Sequence, residues 1–207
     1  MVNDHWDDYL IPGTDVLKNN LNIINRNELI EAEKNITRKT LAKAYLKPTC
    51  KLFDSQELKS LHKDIFGNIY PFAGEFRLCT LGKDNSAFCP PEYIERNLNE
   101  ILNDMNNLPE INSPQELAFY IAPFYHDIIM VHPFREGNGR TIRVFMREFV
   151  LEKSKNLGCG PLDIDYTKMD SNNLLLGTVE RYVYRSMLEI EFMKALVPIQ
   201  KENNHHI

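Results

Sequence analysis

The residues most able to do chemistry lie together in one stretch, which reads HPFREGNGRTIR over positions 132–143. It begins with His132, whose imidazole has an unperturbed pKa of about 6.5 and can accept a proton from a hydroxyl nucleophile at neutral pH. General base catalysis of this kind contributes about 10²–10⁴ in rate. Glu136 follows in the same stretch and is a hard oxygen ligand that could hold Mg²⁺ against phosphate oxygens. The stretch therefore predicts a base and a metal ligand for chemistry on a phosphate.

The glycines that follow predict a binding site for an anion. Gly137 and Gly139 allow positive φ angles and let successive backbone N–H groups approach a ligand. Asn138 lies between them, and helical spacing from Arg140 onward places the loop at a helix N-terminus, where N–H groups lack partners. Arg140 and Arg143 share one side of the first turn, so both guanidinium groups can reach a polyphosphate.

Each part of this stretch has an ordinary structural interpretation when it is taken alone. A single histidine is usually structural, a Gly-x-Gly is usually a turn, and two arginines on one helix face are usually solvated. About nine fixed positions in twelve do not arise together by chance in a chain of 207 residues. A competing structural metal site at His126 and His132 lacks a third ligand in register, and the cysteines form no C-x-x-C pair. We therefore interpret the stretch as a catalytic site.

Helical periodicity dominates the rest of the chain and predicts an all-α fold. The predicted helices span 27–46, 54–66, 90–108 and 113–129, with another from 140, further helices at about 165–200, and a short one capped by Thr14 or Asp15. Segments 76–81 and 87–89 flank a turn at 82–86 and predict a small β-hairpin flap. No linker or repeat interrupts residues 1–207, so we expect a single domain.

Composition and charge exclude several classes of function. The chain has 24 Lys and Arg against 29 Asp and Glu, which gives a formal net charge of −5. A global positive field that would bind nucleic acid or an anionic membrane is therefore absent. The sequence has no apolar run of about 18 residues and no signal-like start, so we expect a cytoplasmic protein that does not contact a membrane.

The 132–143 stretch resembles the signature of the Fic family, H-P-F-x-[D/E]-G-N-G-R-x-x-R, and fills every position of it. The resemblance continues outside the signature, through YxxPGTxVLxN at 9–19, YPxAGExR at 70–77 and FxPP at 88–91. It therefore covers most of residues 9–155. Phe72 stands where relatives have Trp, which exchanges one aromatic residue for another.

This resemblance implies a Fic-type helical domain that transfers AMP from ATP to a Ser, Thr or Tyr hydroxyl of a target protein and releases pyrophosphate. His132 would be the general base and Glu136 the Mg²⁺ ligand, so ATP and Mg²⁺ are the expected cofactors. The roles implied for the other signature residues are an anion hole at Gly137, Asn138 and Gly139, a β-phosphate contact at Arg140 and a γ-phosphate contact at Arg143. The flap would hold the target segment by strand addition, with Lys83 as an additional contact near the nucleotide.

Alternatives to AMP transfer remain open at this point. A kinase-like relative replaces part of the glycine loop and the first arginine, whereas this chain keeps Gly139 and Arg140, which favours AMP transfer. The pocket for the base is not readable from the sequence, so UMP or phosphocholine donors stay open. A catalytically silent Fic-fold module that only binds a partner or a nucleotide is disfavoured by the intact His132 and Glu136.

Many Fic relatives carry an inhibitory helix of pattern [S/T]-x-x-x-E-[G/N], whose glutamate pairs with the second signature arginine. Near the amino terminus, Lys18 stands where that glutamate is required. Near the carboxyl end Glu202 and Asn203 fit the pattern, but Pro198 occupies the Ser/Thr position and would break a helix. The chain therefore resembles the class that a small separate antitoxin inhibits in trans. Members of that class act as bacterial toxins, and their targets, DNA gyrase and topoisomerase IV, are the targets that the resemblance implies.

Overall fold

Helices dominate the structure, a computed structural model that describes residues 5–83, 86–174 and 181–199. The helices are α1 (Arg26–Leu46), α2 (Ser55–Phe66), α3 (Ile94–Asn106), α4 (Pro114–Val131), α5 (Asn138–Lys153) and α6 (Arg181–Ala195). The antiparallel strand pairs are β1 (Gly82–Lys83) with β2 (Ser86–Ala87), and β3 (Leu162–Ile164) with β4 (Leu196–Pro198). The predicted fold class, a helical domain with a small β-hairpin flap, is confirmed.

The first two helices begin at side-chain caps and pack on each other. Asn25 caps α1 and Asp54 caps α2, each by accepting a hydrogen bond from an N–H of the first turn. Both helices lie within one residue of their predicted bounds. The inner face of α2 is buried and consists of Leu58, Leu61, His62, Ile65 and Phe66. α1 packs against α2, and most of its own side chains are exposed. From the side of α1 that is not exposed, Glu33 contacts Tyr70 and Arg140.

The flap strands differ from their predicted positions. Residues 76–81 form no strand, and the ladder comprises only β1 and β2, on either side of the turn. Arg77 explains the difference, because its backbone N–H donates to the carbonyl of Pro133 at 2.9 Å and its side chain is 1% exposed. The segment is therefore bonded to the helical body at Arg77, and across the hairpin it pairs only at its end, where the Leu81 carbonyl accepts from the Phe88 N–H at 3.0 Å.

The short helix predicted at Thr14 or Asp15 is wrong. The chain instead turns there, and Leu10 forms an isolated antiparallel bridge with Leu17. The Thr14 hydroxyl donates to the Ile11 carbonyl at 2.9 Å and accepts from the Val16 N–H at 3.2 Å. This is the turn that Ser and Thr form when their hydroxyl competes with helical hydrogen bonding.

The three central helices occur in the predicted order, and two of them begin at a different residue from the predicted one. α3 begins later than predicted because residues Pro91–Tyr93 form a 3₁₀ turn. α4 begins as predicted, with Ser113 accepting a hydrogen bond from the Glu116 N–H at 3.2 Å. α5 begins at Asn138, two residues before the predicted start, so the glycine loop itself enters the helix.

Contacts divide the chain into two compact units. The first comprises Met1–Asn107 with Asp127–Phe145, and the second comprises Leu108–His126 with Met146–Ile207. Every predicted site residue belongs to the first unit, while the expectation of a single domain over residues 1–207 stays a prediction. No helix in the described ranges combines the length and apolarity needed to cross a bilayer.

The second unit contains a strand pair that the sequence analysis did not predict. β4 follows α6 directly and pairs with β3, so Pro198 is part of a strand where helix was expected to about residue 200. Arg147 stabilises this region through Nε and Nη2, which donate to the two carboxylate oxygens of Asp163 at 2.6 and 2.7 Å.

Candidate active site

The first part of the catalytic stretch, residues 132–137, forms the turn between the end of α4 and the start of α5. This turn begins and ends with a residue in the left-handed region of φ. His132 has φ 49° and Gly137 has φ 81°. A non-glycine residue in this region costs of order 1–3 kcal/mol and persists only where neighbouring contacts fix it. Here the His132 N–H donates to the Ile128 carbonyl at 3.1 Å, and the His132 carbonyl accepts from Arg77 Nε at 2.8 Å. The backbone of the predicted base is therefore fixed from both sides.

The imidazole of His132 is held in an orientation that suits a base. Its Nδ1 lies 3.2 Å from the Ile129 carbonyl oxygen, and its ring stacks on Phe88 at 3.8 Å between centroids. Because a carbonyl can only accept, Nδ1 must carry the hydrogen of this bond. In the neutral ring, Nε2 then has the lone pair, which is the atom that can take a proton from a hydroxyl.

A buried arginine joins this turn to the base of the flap. The Arg77 guanidinium donates to the carbonyls of His132 (2.8 Å), Val131 (3.2 Å), Cys79 (2.7 Å) and Cys89 (2.5 Å). Burial lowers the pKa of Arg77, and the carbonyl dipoles compensate the buried charge where a carboxylate would be the usual partner. The sequence analysis placed Arg77 at the flap and missed this role, because all four acceptors are backbone atoms.

The Asn138 side chain fixes the loop. Its Oδ1 accepts from the Phe134 N–H at 2.8 Å and its Nδ2 donates to the Phe134 carbonyl at 2.7 Å, with 3% of the residue exposed. Both ends of the amide are therefore used inside the loop. What Asn138 offers to an anion is its backbone N–H at the start of α5, where no carbonyl precedes it at helical spacing.

Only one of the two signature glycines is required by packing in this structure. A Cβ on Gly137 would lie 2.4 Å from the Phe66 ring, in addition to the strain at φ 81°. A Cβ on Gly139 would meet only Nη1 of Arg143, at an ordinary 3.6 Å. Gly137 is thus fixed by a side chain of α2, and Gly139 lies in the first turn of α5 near the guanidinium of Arg143.

The Glu136 carboxylate already occupies one donor of the predicted anion hole. Its Oε1 accepts from the Gly137 N–H at 2.9 Å and lies 3.4 Å from Nη2 of Arg140. A carboxylate oxygen therefore lies between a backbone N–H of the loop and the first signature arginine, an arrangement of donors that suits an anionic oxygen. The Glu136 side chain is 41% exposed, so its carboxylate is also accessible to a metal ion from solvent.

His62 of α2 contacts the main-chain carbonyl of Glu136, and the sequence analysis did not predict this contact. Its ring is fully buried and stacks on Phe134 at 3.9 Å, and its Nε2 lies 2.9 Å from the Glu136 carbonyl. Burial lowers the pKa of His62 to about 4, so the ring is neutral at physiological pH. A histidine among apolar residues on the inner face of a helix was the available signal.

Arg140 makes contacts that the sequence analysis did not predict. Its Nη2 lies 2.7 Å from Oε1 of Glu33 on α1, and its guanidinium lies over the Phe66 ring at 4.7 Å. Tyr70 in turn donates its hydroxyl hydrogen to the second carboxylate oxygen of Glu33. The first signature arginine is therefore part of an ion pair within the protein.

The structure brings together seven of the eight predicted site residues. They are His132, Glu136, Gly137, Asn138, Gly139, Arg140 and Arg143. The Lys83 side chain lies outside the described residues, although its backbone belongs to β1. Within the described ranges, no group of three His, Cys, Asp or Glu side chains could hold a metal ion by itself. A metal at Glu136 would need further ligands from a substrate and from water, which is how Mg²⁺ is usually bound beside phosphates.

Comparison with known proteins identifies relatives of this chain. The model of the Fic/DOC family matches residues 52–150. The probable protein adenylyltransferase y4lH of Sinorhizobium fredii is 38% identical over 138 residues, which cover 65% of this chain and 70% of that protein. The probable protein adenylyltransferase Fic of Escherichia coli is 28% identical over 153 residues, which cover 73% of this chain and 76% of that protein.

Solved structures share the fold. The crystal structure of the BepC protein of Bartonella tribocorum with bound AMPPNP superposes with a TM-score of 0.78 at 23% identity, covering 94% of this chain and 98% of that one. A Fic domain from Bartonella quintana with bound ADP gives the same TM-score at 23% identity, covering 94% and 96%. At this identity the structures support the fold alone. The relative from Sinorhizobium fredii, together with the match of the family model and the complete signature at residues 132–143, shows that this chain belongs to the Fic/DOC family.

Proposed function

We propose that this protein is an AMP transferase, which moves AMP from ATP to a Ser, Thr or Tyr hydroxyl of another protein and releases pyrophosphate. The observation that carries the proposal is the Nδ1 contact of His132 with the Ile129 carbonyl, which leaves Nε2 as a proton acceptor beside an anion-binding loop. Several curated relatives are named protein adenylyltransferases, which supports the same reaction.

His132 acts on the attacking hydroxyl. As the hydroxyl oxygen forms its bond to the α-phosphorus of ATP, its proton passes to Nε2 of His132. The bond between the α-phosphorus and the bridging oxygen breaks, and the electron pair leaves with pyrophosphate. Stacking on Phe88 and the contact with Ile129 hold the ring, which reduces the orientational freedom lost on reaching the transition state.

The loop and the arginines stabilise negative charge on the phosphates. The backbone N–H groups at Gly137 and Asn138 lie at the N-terminal end of α5, where the helix dipole favours an anion. A phosphate oxygen would take the place that the Glu136 carboxylate now has on the Gly137 N–H. Arg140 and Arg143 supply fixed positive charge for the β- and γ-phosphates, as the signature implies.

Glu136 fits the role of magnesium ligand because it is the exposed carboxylate of the loop and needs only to leave the Gly137 N–H. A magnesium ion bound there would neutralise phosphate charge and favour the departure of pyrophosphate. The only requirement on this chain is an available carboxylate oxygen, since Mg²⁺ takes most of its other ligands from phosphates and water.

We further propose that the flap receives the target protein. β1 and β2 are two residues each, so an extended segment could add along this short ladder through main-chain hydrogen bonds. His132 lies under the flap through its stacking on Phe88, so a hydroxyl on a segment bound there would be near the base. Lys83 is kept as a proposed contact near the nucleotide.

Regulation in trans is also proposed. Residues 14–19 form a turn, and Pro198 belongs to β4, so neither described part of the two candidate inhibitory segments is helical. Glu202 and Asn203 lie outside the described residues. The lack of helix in these described parts supports restraint by a separate small antitoxin. A toxin role in the bacterial cytoplasm, with DNA gyrase or topoisomerase IV as targets, is proposed from the family resemblance alone.

The reaction is tested with ATP labelled separately at the α- and γ-phosphates. Purified protein and Mg²⁺ are incubated with a bacterial lysate, with His132→Ala as the matched control. We expect label from the α-phosphate alone on a protein band, and none with the variant. Label from the γ-phosphate would mean phosphate transfer, and label from neither with nucleotide still bound would mean a binding module; both results would overturn AMP transfer from ATP.

A further inference from the structure

We propose that Glu33 of α1, held by Tyr70, is a positioning residue that orients Arg140 for the β-phosphate of the nucleotide. This inference rests on the proposed function, which gives Arg140 its phosphate. Neither Glu33 nor Tyr70 touches the substrate in this proposal; both act through the guanidinium of Arg140.

Glu33 and Arg140 form a partly buried ion pair. Arg140 Nη2 lies 2.7 Å from Glu33 Oε1, and the side chains are 26% and 15% exposed. An ion pair of this length between partly buried groups has a better defined geometry than a pair on an open surface. The exposed pair of Lys34 with Glu31 on the same helix, at 3.8 Å, illustrates the difference.

Tyr70 fixes the carboxylate of Glu33. Its hydroxyl donates to Oε2, the oxygen that Arg140 does not use, and the residue is 3% exposed. Burial raises the pKa of Tyr70, and the bond to Glu33 raises it further, so the hydroxyl keeps its hydrogen at any physiological pH. Each oxygen of Glu33 therefore has one partner, and the carboxylate cannot rotate without losing one of them.

Two further contacts position the guanidinium of Arg140. The Phe66 ring lies under it at 4.7 Å from its carbon, and Nη1 lies 3.5 Å from the hydroxyl of Thr37. Within the described part of the chain, the Nε–H of Arg140 makes no hydrogen bond. The contacts with α1 and α2 thus use the far end of the guanidinium and leave the Nε–H to a phosphate oxygen.

Glu33 holds Arg140 independently of Glu136. Glu136 Oε1 contacts the same Nη2 at the longer distance of 3.4 Å and also accepts from the Gly137 N–H. In the proposed function this carboxylate is the metal ligand, so it has to leave both donors. Glu33 has no such second task, and it keeps the arginine in place when Glu136 turns away.

The test compares Glu33→Ala with Glu33→Gln, because both remove the negative charge and only Gln keeps hydrogen-bonding atoms for Arg140 and Tyr70. Binding of ADP and of AMP with Mg²⁺ is measured by calorimetry, with Glu31→Ala as the matched control on α1. We expect the alanine variant to bind ADP roughly five-fold more weakly than the glutamine variant. AMP lacks the β-phosphate, so its affinity should be equal in the two variants.

A second, smaller substitution keeps the test valid if the Glu33 variants fail to fold. Tyr70→Phe keeps the charge of Glu33 and removes only the hydroxyl, and it should weaken ADP roughly two- to three-fold without changing AMP. Equal ADP affinities of Glu33→Ala and Glu33→Gln, or a loss of AMP and ADP binding by the same factor, would overturn the positioning role. A wild-type protein that binds neither nucleotide would instead overturn the proposed function itself, so the two failures are distinguishable.

Discussion

The Nε2–H of His62 donates a hydrogen bond of 2.9 Å to the main-chain carbonyl of Glu136, across 74 residues of sequence. The direction is fixed because the Gly74 N–H donates to Nδ1 of the same ring at 2.8 Å, which leaves the hydrogen on Nε2. A neutral imidazole is thus required between a donor on one side and an acceptor on the other. Protonated His62 would face the Gly74 N–H with a second donor.

This arrangement predicts a specific dependence of stability on pH. Because the pKa of His62 falls from 6.5 to about 4 on folding, the unfolded chain binds more protons than the folded one between those values. The stabilisation is complete above pH 6.5 and is lost as the pH falls toward 4, by about 3 kcal/mol in total. Urea unfolding at pH 7.5, 5.5 and 4.5 measures it. His62→Gln should show a weaker decline over this range, and an identical decline would exclude His62 as its cause.

The two signature glycines should respond differently to alanine. Gly137→Ala adds a Cβ at 2.4 Å from the Phe66 ring at φ 81°, so we expect a loss of about 2 kcal/mol or more in the free energy of unfolding. Gly139→Ala adds one at 3.6 Å in the first turn of α5, where alanine is the better helix former. Urea unfolding of both should show destabilisation by the first alone; equal losses would mean that the contact with Phe66 is not decisive.

Removal of the base should separate chemistry from binding. His132→Ala should lower the rate of AMP transfer by about 10² or more and leave ATP affinity within about three-fold, because the imidazole acts on the incoming hydroxyl. His132→Asn is the matched variant, since Asn tolerates the φ of 49° better than Ala. Single-turnover transfer and calorimetry are the two measurements. A variant that loses ATP affinity and keeps the transfer rate would contradict the assignment.

Glu136 should determine how Mg²⁺ affects nucleotide affinity. Wild-type protein should bind ATP more tightly with Mg²⁺ than with a chelator, and Glu136→Ala should lose that difference. Without Mg²⁺ the variant should bind ATP at least as well as wild type, because the Gly137 N–H no longer has a carboxylate on it. Glu75→Ala, an exposed carboxylate paired with Lys59, is the control. An undiminished Mg²⁺ effect in Glu136→Ala would remove this residue from the metal role.

Restraint in trans predicts that the carboxyl-terminal segment is not inhibitory. Deletion of residues 200–207 keeps β4 intact and removes Glu202, and it should leave the rate of AMP transfer by the purified protein unchanged within about two-fold. The transfer assay with α-labelled ATP measures it, with full-length protein alongside. A gain of ten-fold or more would mean that the chain restrains itself through this segment.

The sequence predicted the elements whose signals are local. The signature is contiguous, and α2 has its cap and its apolar spacing within one short segment. The flap ladder and the turn at Thr14 were placed wrongly because buried Arg77 and a competing hydroxyl outweigh local propensity there. β3 and β4 pair across a long separation, which no local pattern records.

The contacts that orient the signature were not predictable in the same way. Glu33, Tyr70 and His62 reach Arg140 and Glu136 from helices and loops far away in the sequence. In the sequence, Glu33 and His62 look like ordinary members of helix faces and Tyr70 like an ordinary loop aromatic, and only tertiary packing gives them their partners. The candidate site residues could therefore be named from the sequence and stay a prediction, while the contacts that hold them in place required the structure.

The Arg77 guanidinium ties together both ends of the flap, because it donates to the main-chain carbonyls of Cys79 and Cys89. Carbonyl acceptors do not depend on side-chain identity, so the residues between those two positions can be replaced without disturbing the bonds that end the loop. If the flap receives the target protein as proposed, target choice can diversify by exchange of the intervening residues, while the remaining bonds from Arg77 keep the turn at His132 unchanged. Under that proposal, recognition and chemistry would evolve separately, although both depend on the same side chain.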